Sequence, residues 1–178
     1  MKVCIVGNSL SVLSLAKALV NLNIYVDILS PKKIDKPDKS RTIGISKSNI
    51  EFINKHIINI HKIIWKVNKI EIYSDNLKNK KLLNFENNDE LFSIVKNLQF
   101  LNLLEKSLLK NKFFKKKSFL NNLNTYDLVI NADYSNILTK KYFSKKIIKK
   151  YNSTAYVTII KHLKIKNNIA TQIFTKRG

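Results

Sequence analysis

Val3-Cys4-Ile5-Val6-Gly7-Asn8-Ser9-Leu10-Ser11-Val12 is the stretch on which the reading of this chain turns. An unbroken, largely β-branched run enters a lone glycine, as expected of a parallel strand buried on both faces. From Leu10 the apolar positions Leu10, Leu13, Ala16, Leu19 and Val20 recur at spacings of three and four. That spacing predicts a helix to about Leu22. Ile24 to Leu29 reads as a second strand, closed by Ser30-Pro31. Together these make a βαβ unit of about 30 residues, the context in which a glycine turn deserves inspection.

In a Gly-x-Gly-x-x-Gly turn the first glycine makes the bend. The second lets a pyrophosphate approach the backbone, and the third lets helix and strand pack closely. Here Gly7 keeps the bend. Ser9 puts a Cβ and a hydroxyl where phosphates would come, although a hydroxyl can also donate to a phosphate oxygen. Val12 adds bulk at the helix–strand contact, which typically costs about 1–3 kcal/mol unless the helix shifts. The N–H groups of Leu10 and Ser11 still open a helix and favour an anion. Ser30 stands where an acidic residue would hold a ribose. Alone, the turn leaves two readings open: a phosphate turn that has lost glycines, or an ordinary strand-to-helix connection.

Outward from it, a Lys- and Asp-rich loop spans Lys32 to Ser40 with Pro37 inside. After Arg41-Thr42-Ile43-Gly44-Ile45-Ser46, a helix is expected over Ser48 to Ile58. Ile70 to Ser74 and Lys81 to Phe85 alternate like a pair of exposed-edge strands. Asn97 to Lys110 has helical periodicity through Leu98, Leu101, Leu104, Leu108 and Leu109. Phe113-Phe114 leads into a polar loop, then a strong strand at Tyr126 to Ile130. Tyr156 to Ile160 and Ile169 to Phe174 read as final strands. The order fits an α/β, doubly wound nucleotide-binding domain with another segment inserted between its strands.

At 178 residues the chain can bury one substantial core. Its net charge of +21 invites a polyanionic partner. However, only Arg41 and Arg177 are arginines, and arginine is favoured for base and phosphate forks. Lys, Asn and Ile abound together while Gly and Pro are scarce, a bias that A/T-rich codons produce without a partner. The charge therefore reads as a solvated surface, and no nucleic acid is expected. Trp65 and the tyrosines make no nucleic-acid stacking platform. Cys4, the single cysteine, reads as a buried apolar residue in a reducing cytosol. Gly7, Asn8, Ser9 and Lys17 interrupt the opening too much for a signal peptide. No apolar run reaches the roughly 18 residues of a membrane span. A cytoplasmic protein is expected, with a basic surface that allows peripheral contact with the inner membrane.

Catalytic side chains are not apparent. His56, His61 and His162 lack metal-ligand spacing, so no metal is expected. There is no Gly-x-Ser-x-Gly elbow. The acidic residues are scattered, with Asp89-Glu90 reading as a solvated helix start and Asp75 as a turn residue.

Three segments in register carry a resemblance: the turn at residues 7 to 12, Arg41 to Ser46, and Tyr126-Asp127-Leu128-Val129-Ile130-Asn131-Ala132-Asp133. They resemble the ubiquinone-biosynthesis FAD-dependent hydroxylases, within the para-hydroxybenzoate-hydroxylase-like monooxygenases. Arg41 and Ser46 match that family's Arg-x-x-Ala-Leu-Ser-type stretch. Leu128, Val129, Ala132 and Asp133 match its Leu-Val-x-Gly-Ala-Asp-Gly stretch. Asn131 and Tyr134 replace the glycines of that stretch, and Lys140 stands where an arginine usually follows. Tyr151 to Tyr156 and Ile169 to Phe174 look like the family's strands leading into a substrate-side sheet.

The resemblance implies a Rossmann-like FAD/NAD(P)-binding domain over residues 1–145, with inserted strands near 66–86. It implies the start of a truncated substrate-domain sheet over 146–178. FAD, reduced by NAD(P)H, would use oxygen to hydroxylate a prenylated phenol, in complex with other ubiquinone-biosynthesis proteins. Gly7, Asn8, Ser9 and Leu10 would wrap the FAD pyrophosphate, with Ser30 at the ribose position. Arg41 would place a cation near the phosphates, Asn97 would contact the flavin, and Asp133 would serve both cofactors. The family's third fingerprint, a Gly-Asp-Ala-Ala-His-type segment, has no counterpart here. The chain is accordingly expected to be an N-terminal portion that is catalytically incomplete alone. The alternative is a degenerate Rossmann-like binding or accessory module without catalysis, favoured by Ser9, Val12, Ser30 and Tyr134.

Overall fold

The computed structural model describes residues 1–30, 39–75, 80–118, 122–142, 147–160, 163 and 167–175. Most of the predicted 32–40 loop, and His162, lie outside the described residues. The opening βαβ unit forms as its pattern requires. Strand β1 (Lys2–Val6) leads into helix α1 (Leu10–Asn21) and back into β2 (Tyr25–Leu29). β1 and β2 pair in parallel from Lys2↔Tyr25 to Val6↔Leu29. Val3, Ile5, Val26 and Ile28 are fully buried under the α1 face that carries Val12, Leu13, Ala16 and Val20. Each such side chain contributes about 1.5–3 kcal/mol of burial. α1 ends in a Schellman arrangement, with Ile24 N–H donating to Leu19 O and Asn23 N–H to Val20 O. Asn23 takes the left-handed conformation, φ 60°, which asparagine tolerates better than most residues.

Strand β3 (Thr42–Ser46) and helix α2 (Lys47–His56) follow. Next come β4 (Ile64–Val67), β5 (Lys69–Ser74), β6 (Lys81–Glu86), β7 (Phe92–Lys96) and helix α3 (Asn97–Leu109). The chain continues through β8 (Phe114–Lys117), a 3-10 turn at Leu123–Thr125, β9 (Leu128–Asn131), α4 (Ile137–Tyr142) and β10 (Ile169–Phe174). Among the described residues the strands make three sheets. The first, β8-β2-β1-β9, is entirely parallel, and α1 and α3 pack together on one face of it. The second, β3-β7-β4, is antiparallel. The third, β10-β5-β6, joins the expected inserted pair β5/β6 to β10 in parallel register, Ile169↔Lys69.

Several expectations are corrected. Phe114–Lys117 is a strand and not a polar loop: only Phe114 turns inward, while Lys115 and Lys116 face solvent on a sheet edge. Lysines suit an unpaired edge, and they hide the period-2 signal. β3, β4 and β7 are short strands that periodicity did not resolve. Tyr156–Ile160 is not a strand, because no described strand lies alongside to pair with it and its residues are exposed. Asp89-Glu90 does not start a helix. Glu90 is 6% exposed, accepting from Ser93 Oγ at 2.5 Å and pairing with Lys66 at 3.4 Å. A buried carboxylate requires such partners. Asp89 stays at the surface, bonded to Lys47. Among the described residues no helix is long and apolar enough to cross a membrane.

Candidate functional site

Gly7 continues β1 at its carboxyl end with φ +134°, a conformation that L side chains rarely adopt. Its N–H donates to Leu29 O at 2.9 Å, which fixes it beside the end of β2. A Cβ built there would lie 3.2 Å from Val12 Cγ2 and 3.5 Å from the Ala132 carbonyl carbon. Val12 is thus seated in the space that the missing Gly7 side chain leaves, and the bulk expected of it is taken up there. β9 lies beside β1, with Val6 opposite Asn131, and Ala132 N–H donates to Val6 O. Ser30 is buried at the end of β2, its N–H donating to Lys117 O. The structure therefore gathers Gly7, Ser30 and the Asp133 turn at the carboxyl ends of adjacent parallel strands. That edge is where open α/β sheets bind ligands.

Ser9 is the N-cap of α1, and its Oγ accepts from Val12 N–H at 3.3 Å. One first-turn N–H is thereby satisfied. By helix geometry, the N–H groups of Leu10 and Ser11 have no intrahelical acceptor. No acidic side chain occupies the first turn of α1, so its positive end is not neutralised locally. Asn8 and Leu10, half-buried, flank Ser9 in the same turn.

Asp133 sits in a tightly bonded turn. Its carboxylate accepts from Ser135 N–H at 2.9 Å and Ser135 Oγ at 2.6 Å. Asn131 does what a glycine could not: its Oδ1 accepts from Asp133 N–H and Asn136 Nδ2, and its Nδ2 donates to Thr139 Oγ1. The replacement preserves the turn by side-chain bonds instead of backbone freedom.

Arg41 and Asn97 are brought together at a second point. Thr42 pairs with Lys96, and Asn97 N–H donates to Arg41 O at 3.0 Å. Asn97 is the first residue of α3 and only 7% exposed, and its Oδ1 is buried without a hydrogen-bond partner. An orphaned buried acceptor is uncommon in folded proteins. The Arg41 side chain is exposed. Ser46, the other matching residue of that stretch, is the N-cap of α2, accepting from Asn49 N–H.

One polar group was not singled out from the sequence. Asp27, buried in the middle of β2, accepts from Tyr126 Oη at 2.6 Å and pairs with Lys117 Nζ at 2.8 Å and Lys2 Nζ at 3.9 Å. Burial pushes its carboxyl up, but the Lys117 and Tyr126 hydrogen bonds and the two ammonium charges outweigh that and hold it below its ordinary range. Burial first, then the Asp27 charge, pushes the neighbouring Cys4 thiol up to about 11, an inert state. The available signal was a carboxylate between Val26 and Ile28 in a buried run, which demands a partner. On the same side of the sheet, away from α1, a cleft of about 570 Å³ is lined by residues that include Leu123, Asn124, Tyr126, Val129, Asn131 and Leu138. None of the eight sequence-derived site residues lines it. His56 and His61 are exposed, and no cluster of His, Cys, Asp or Glu able to hold a metal occurs among the described residues.

No protein-family model matches the chain, and no curated protein matches it in sequence. Solved structures do match it in three dimensions. One is pqsL, a probable FAD-dependent monooxygenase from Pseudomonas aeruginosa, with TM-score 0.62 and 9% identity, covering 85% of this chain and 48% of that one. The chain shares the fold of the FAD-dependent monooxygenases. The p-nitrophenol 4-monooxygenase PnpA of Pseudomonas putida DLL-E4 superposes with TM-score 0.56 at 12% identity, over 66% of this chain and 31% of that one. HpxO of Klebsiella pneumoniae, solved in complex with FAD and uric acid, gives TM-score 0.50 at 12% identity, over 65% and 30%. The chain spans less than half the length of each of these three proteins.

Proposed function

We propose that this chain is the flavin-binding part of an FAD-dependent monooxygenase that hydroxylates an aromatic ring. The observation that carries the reading is the Gly7 bend, whose φ of +134° disfavours any side chain and which lies close to Val12 and Ala132, at the carboxyl edge of the parallel sheet. Two further features fit FAD. The α1 terminus offers N–H groups and no carboxylate to a pyrophosphate. The orphaned Asn97 Oδ1 is a buried acceptor suited to a ring or ribityl donor. When bound, FAD would supply the redox chemistry, taking electrons from NAD(P)H and delivering oxygen to the ring.

This chain's residues have the tasks of binding and orientation. Gly7, Asn8, Ser9 and Leu10 approach the phosphates with backbone, and Ser30 takes the ribose position with a neutral hydroxyl. Arg41 offers a cation near the phosphates. Asp133, fixed by Ser135, holds its turn against the Gly7 bend and serves both cofactors. In this reading residues 1–145 form the cofactor-binding part and 146–178 open the substrate-side sheet. The finer reading, a polyprenylated phenol of ubiquinone biosynthesis and a complex with other proteins of that pathway, rests on the sequence stretches around Arg41 and Asp133.

A second reading is a Rossmann-like module that binds no flavin. It is favoured by Ser9 Oγ, which is already engaged by Val12 N–H, and by the neutral Ser30. Titration of purified protein with FAD, followed by quenching of flavin fluorescence, separates the two. Saturable binding that Gly7→Ala abolishes supports the flavin reading; binding of ADP with none of FAD overturns it.

A further inference from the structure

The turn between β9 and α4 is held by side chains, and one of them, Asn136, bonds in two directions. Its Oδ1 accepts from Leu138 N–H at 2.8 Å and from Thr139 N–H at 3.1 Å, which is the bonding of a helix cap and opens α4. Its Nδ2 points the other way, donating to Asn131 Oδ1 at 2.6 Å and to Asp133 O at 2.7 Å. The partners themselves fix which atom is oxygen and which is nitrogen: two N–H donors on one side, two oxygens on the other. Thr139 Oγ1 closes a ring, accepting from Asn131 Nδ2 at 2.7 Å and donating to Asp133 O at 2.8 Å.

The ring bears on the candidate site through one peptide, the one joining Ala132 to Asp133. Its N–H donates to Asn131 Oδ1 at 3.2 Å, and its carbonyl carbon is the atom that lies 3.5 Å from a Cβ built on Gly7. On the sheet side, Ala132 N–H donates to Val6 O at 2.9 Å. The peptide facing the Gly7 bend is therefore held from β1 by Val6 and from the start of α4 by Asn136, with Asn131 between them. Asn131, Asn136 and Thr139 are all half-buried, where a hydrogen bond is stronger than in open water. The two ends of the Asn136 amide thus have separable tasks. Oδ1 serves the helix, and Nδ2 serves the turn.

We infer that Asn136 is a positioning residue of the candidate site: through Nδ2 it sets the Ala132–Asp133 peptide against the Gly7 bend, and thereby the affinity for the nucleotide cofactor held at that edge. The inference rests on the reading of that edge as a cofactor site. A residue that only capped α4 would need Oδ1 alone, and the Nδ2 bonds would be without consequence for binding.

Two neutral substitutions in the full chain test this. Asn136→Ser keeps a capping oxygen and removes both Nδ2 bonds. Thr139→Val keeps the side-chain shape and the capped N–H, and removes the other donor to Asp133 O. Hydrogen exchange of the Asp133 amide, followed by NMR without any ligand, should quicken about tenfold in each variant while the melting temperature stays nearly unchanged. FAD affinity, followed by quenching of flavin fluorescence, should fall about tenfold in both. Unchanged exchange at Asp133 overturns the proposal. So does faster exchange with undiminished FAD affinity, which would leave Asn136 a helix cap. Wild-type protein that binds ADP but no FAD overturns the flavin reading alone, and the role of Asn136 is then decided by the same comparison of ADP affinities.

Discussion

Tyr126 donates its phenolic hydrogen to Asp27 across 2.6 Å, joining residues 99 positions apart. This bond ties the segment entering β9 to the middle of β2, while Lys117 bonds both partners from β8. Strands β2 and β8 and the lead into β9 thus meet at one carboxylate. Removing the hydroxyl with Tyr126→Phe leaves a buried anion short of a donor, at a cost of about 1.5–3 kcal/mol. Urea unfolding should show the midpoint falling with an unchanged slope.

The same carboxylate sets a pH dependence. Its pKa in the folded protein lies below the ordinary 3.8, so the unfolded chain binds the proton more readily. The stabilisation is therefore complete above about pH 4 and is lost as pH falls through the folded value. Glu71 behaves similarly, held at about 2 mainly by its hydrogen bond from Lys81, so wild-type acid sensitivity has several sources. Asp27→Asn should be less stable near neutrality, yet lose less stability than wild type between about pH 6 and pH 3. An identical pH slope in both proteins would dismiss Asp27 as a contributor.

Gly7→Ala combines a strained φ with a 3.2 Å contact to Val12. Together these should cost about 1–3 kcal/mol. Adding Val12→Ala relieves the contact but not the backbone, so the double variant should recover neither full thermal stability nor FAD binding. Recovery of both would show that crowding, and not φ, makes glycine necessary.

Asn97 separates stability from binding. Its Oδ1 has no partner, so Asn97→Leu removes a polar group whose burial is uncompensated. The flavin-free protein should keep its melting temperature or gain a little, while FAD affinity falls about tenfold, equivalent to about 1.4 kcal/mol. A large loss of stability with unchanged affinity would make Asn97 a purely structural residue.

Two carboxylates side by side should respond oppositely. Ser93→Ala deprives buried Glu90 of its 2.5 Å donor and should cost about 1.5–3 kcal/mol. Lys47→Ala breaks an exposed, solvent-screened pair with Asp89 and should leave the melting temperature nearly unchanged. Thermal melts of the two variants suffice to rank them.

The opening βαβ unit was legible because each level agreed: a β-branched run, a helical stripe, and a second apolar run from Ile24 to Leu29. The paired strands β5 and β6 were visible through their alternation, and α3 through its leucines. What stayed hidden was set by tertiary context. β8 is an edge strand of lysines with one inward Phe114. Glu90 is polar in sequence but buried in space. Tyr156–Ile160 has strand-like residues but is exposed and pairs with none of the described strands. At the site, Gly7 and Asp133 were linked only through the family resemblance, and the structure shows the Gly7 bend close to Ala132, the residue before Asp133. The Arg41–Asn97 junction depends on the unforeseen pairing of β3 with β7.

The parallel pairing of β10 with β5 imposes a schedule on synthesis. Ile169 lies opposite Lys69, so the edge of β5 is built long before its partner leaves the ribosome. During that interval the β5/β6 hairpin presents an unsatisfied row of backbone donors and acceptors, a template for pairing with another chain. The lysines of β5 and β6 then keep nascent copies apart, so any variant that strips Lys69 or Lys81 of charge should first show its effect as aggregation during expression.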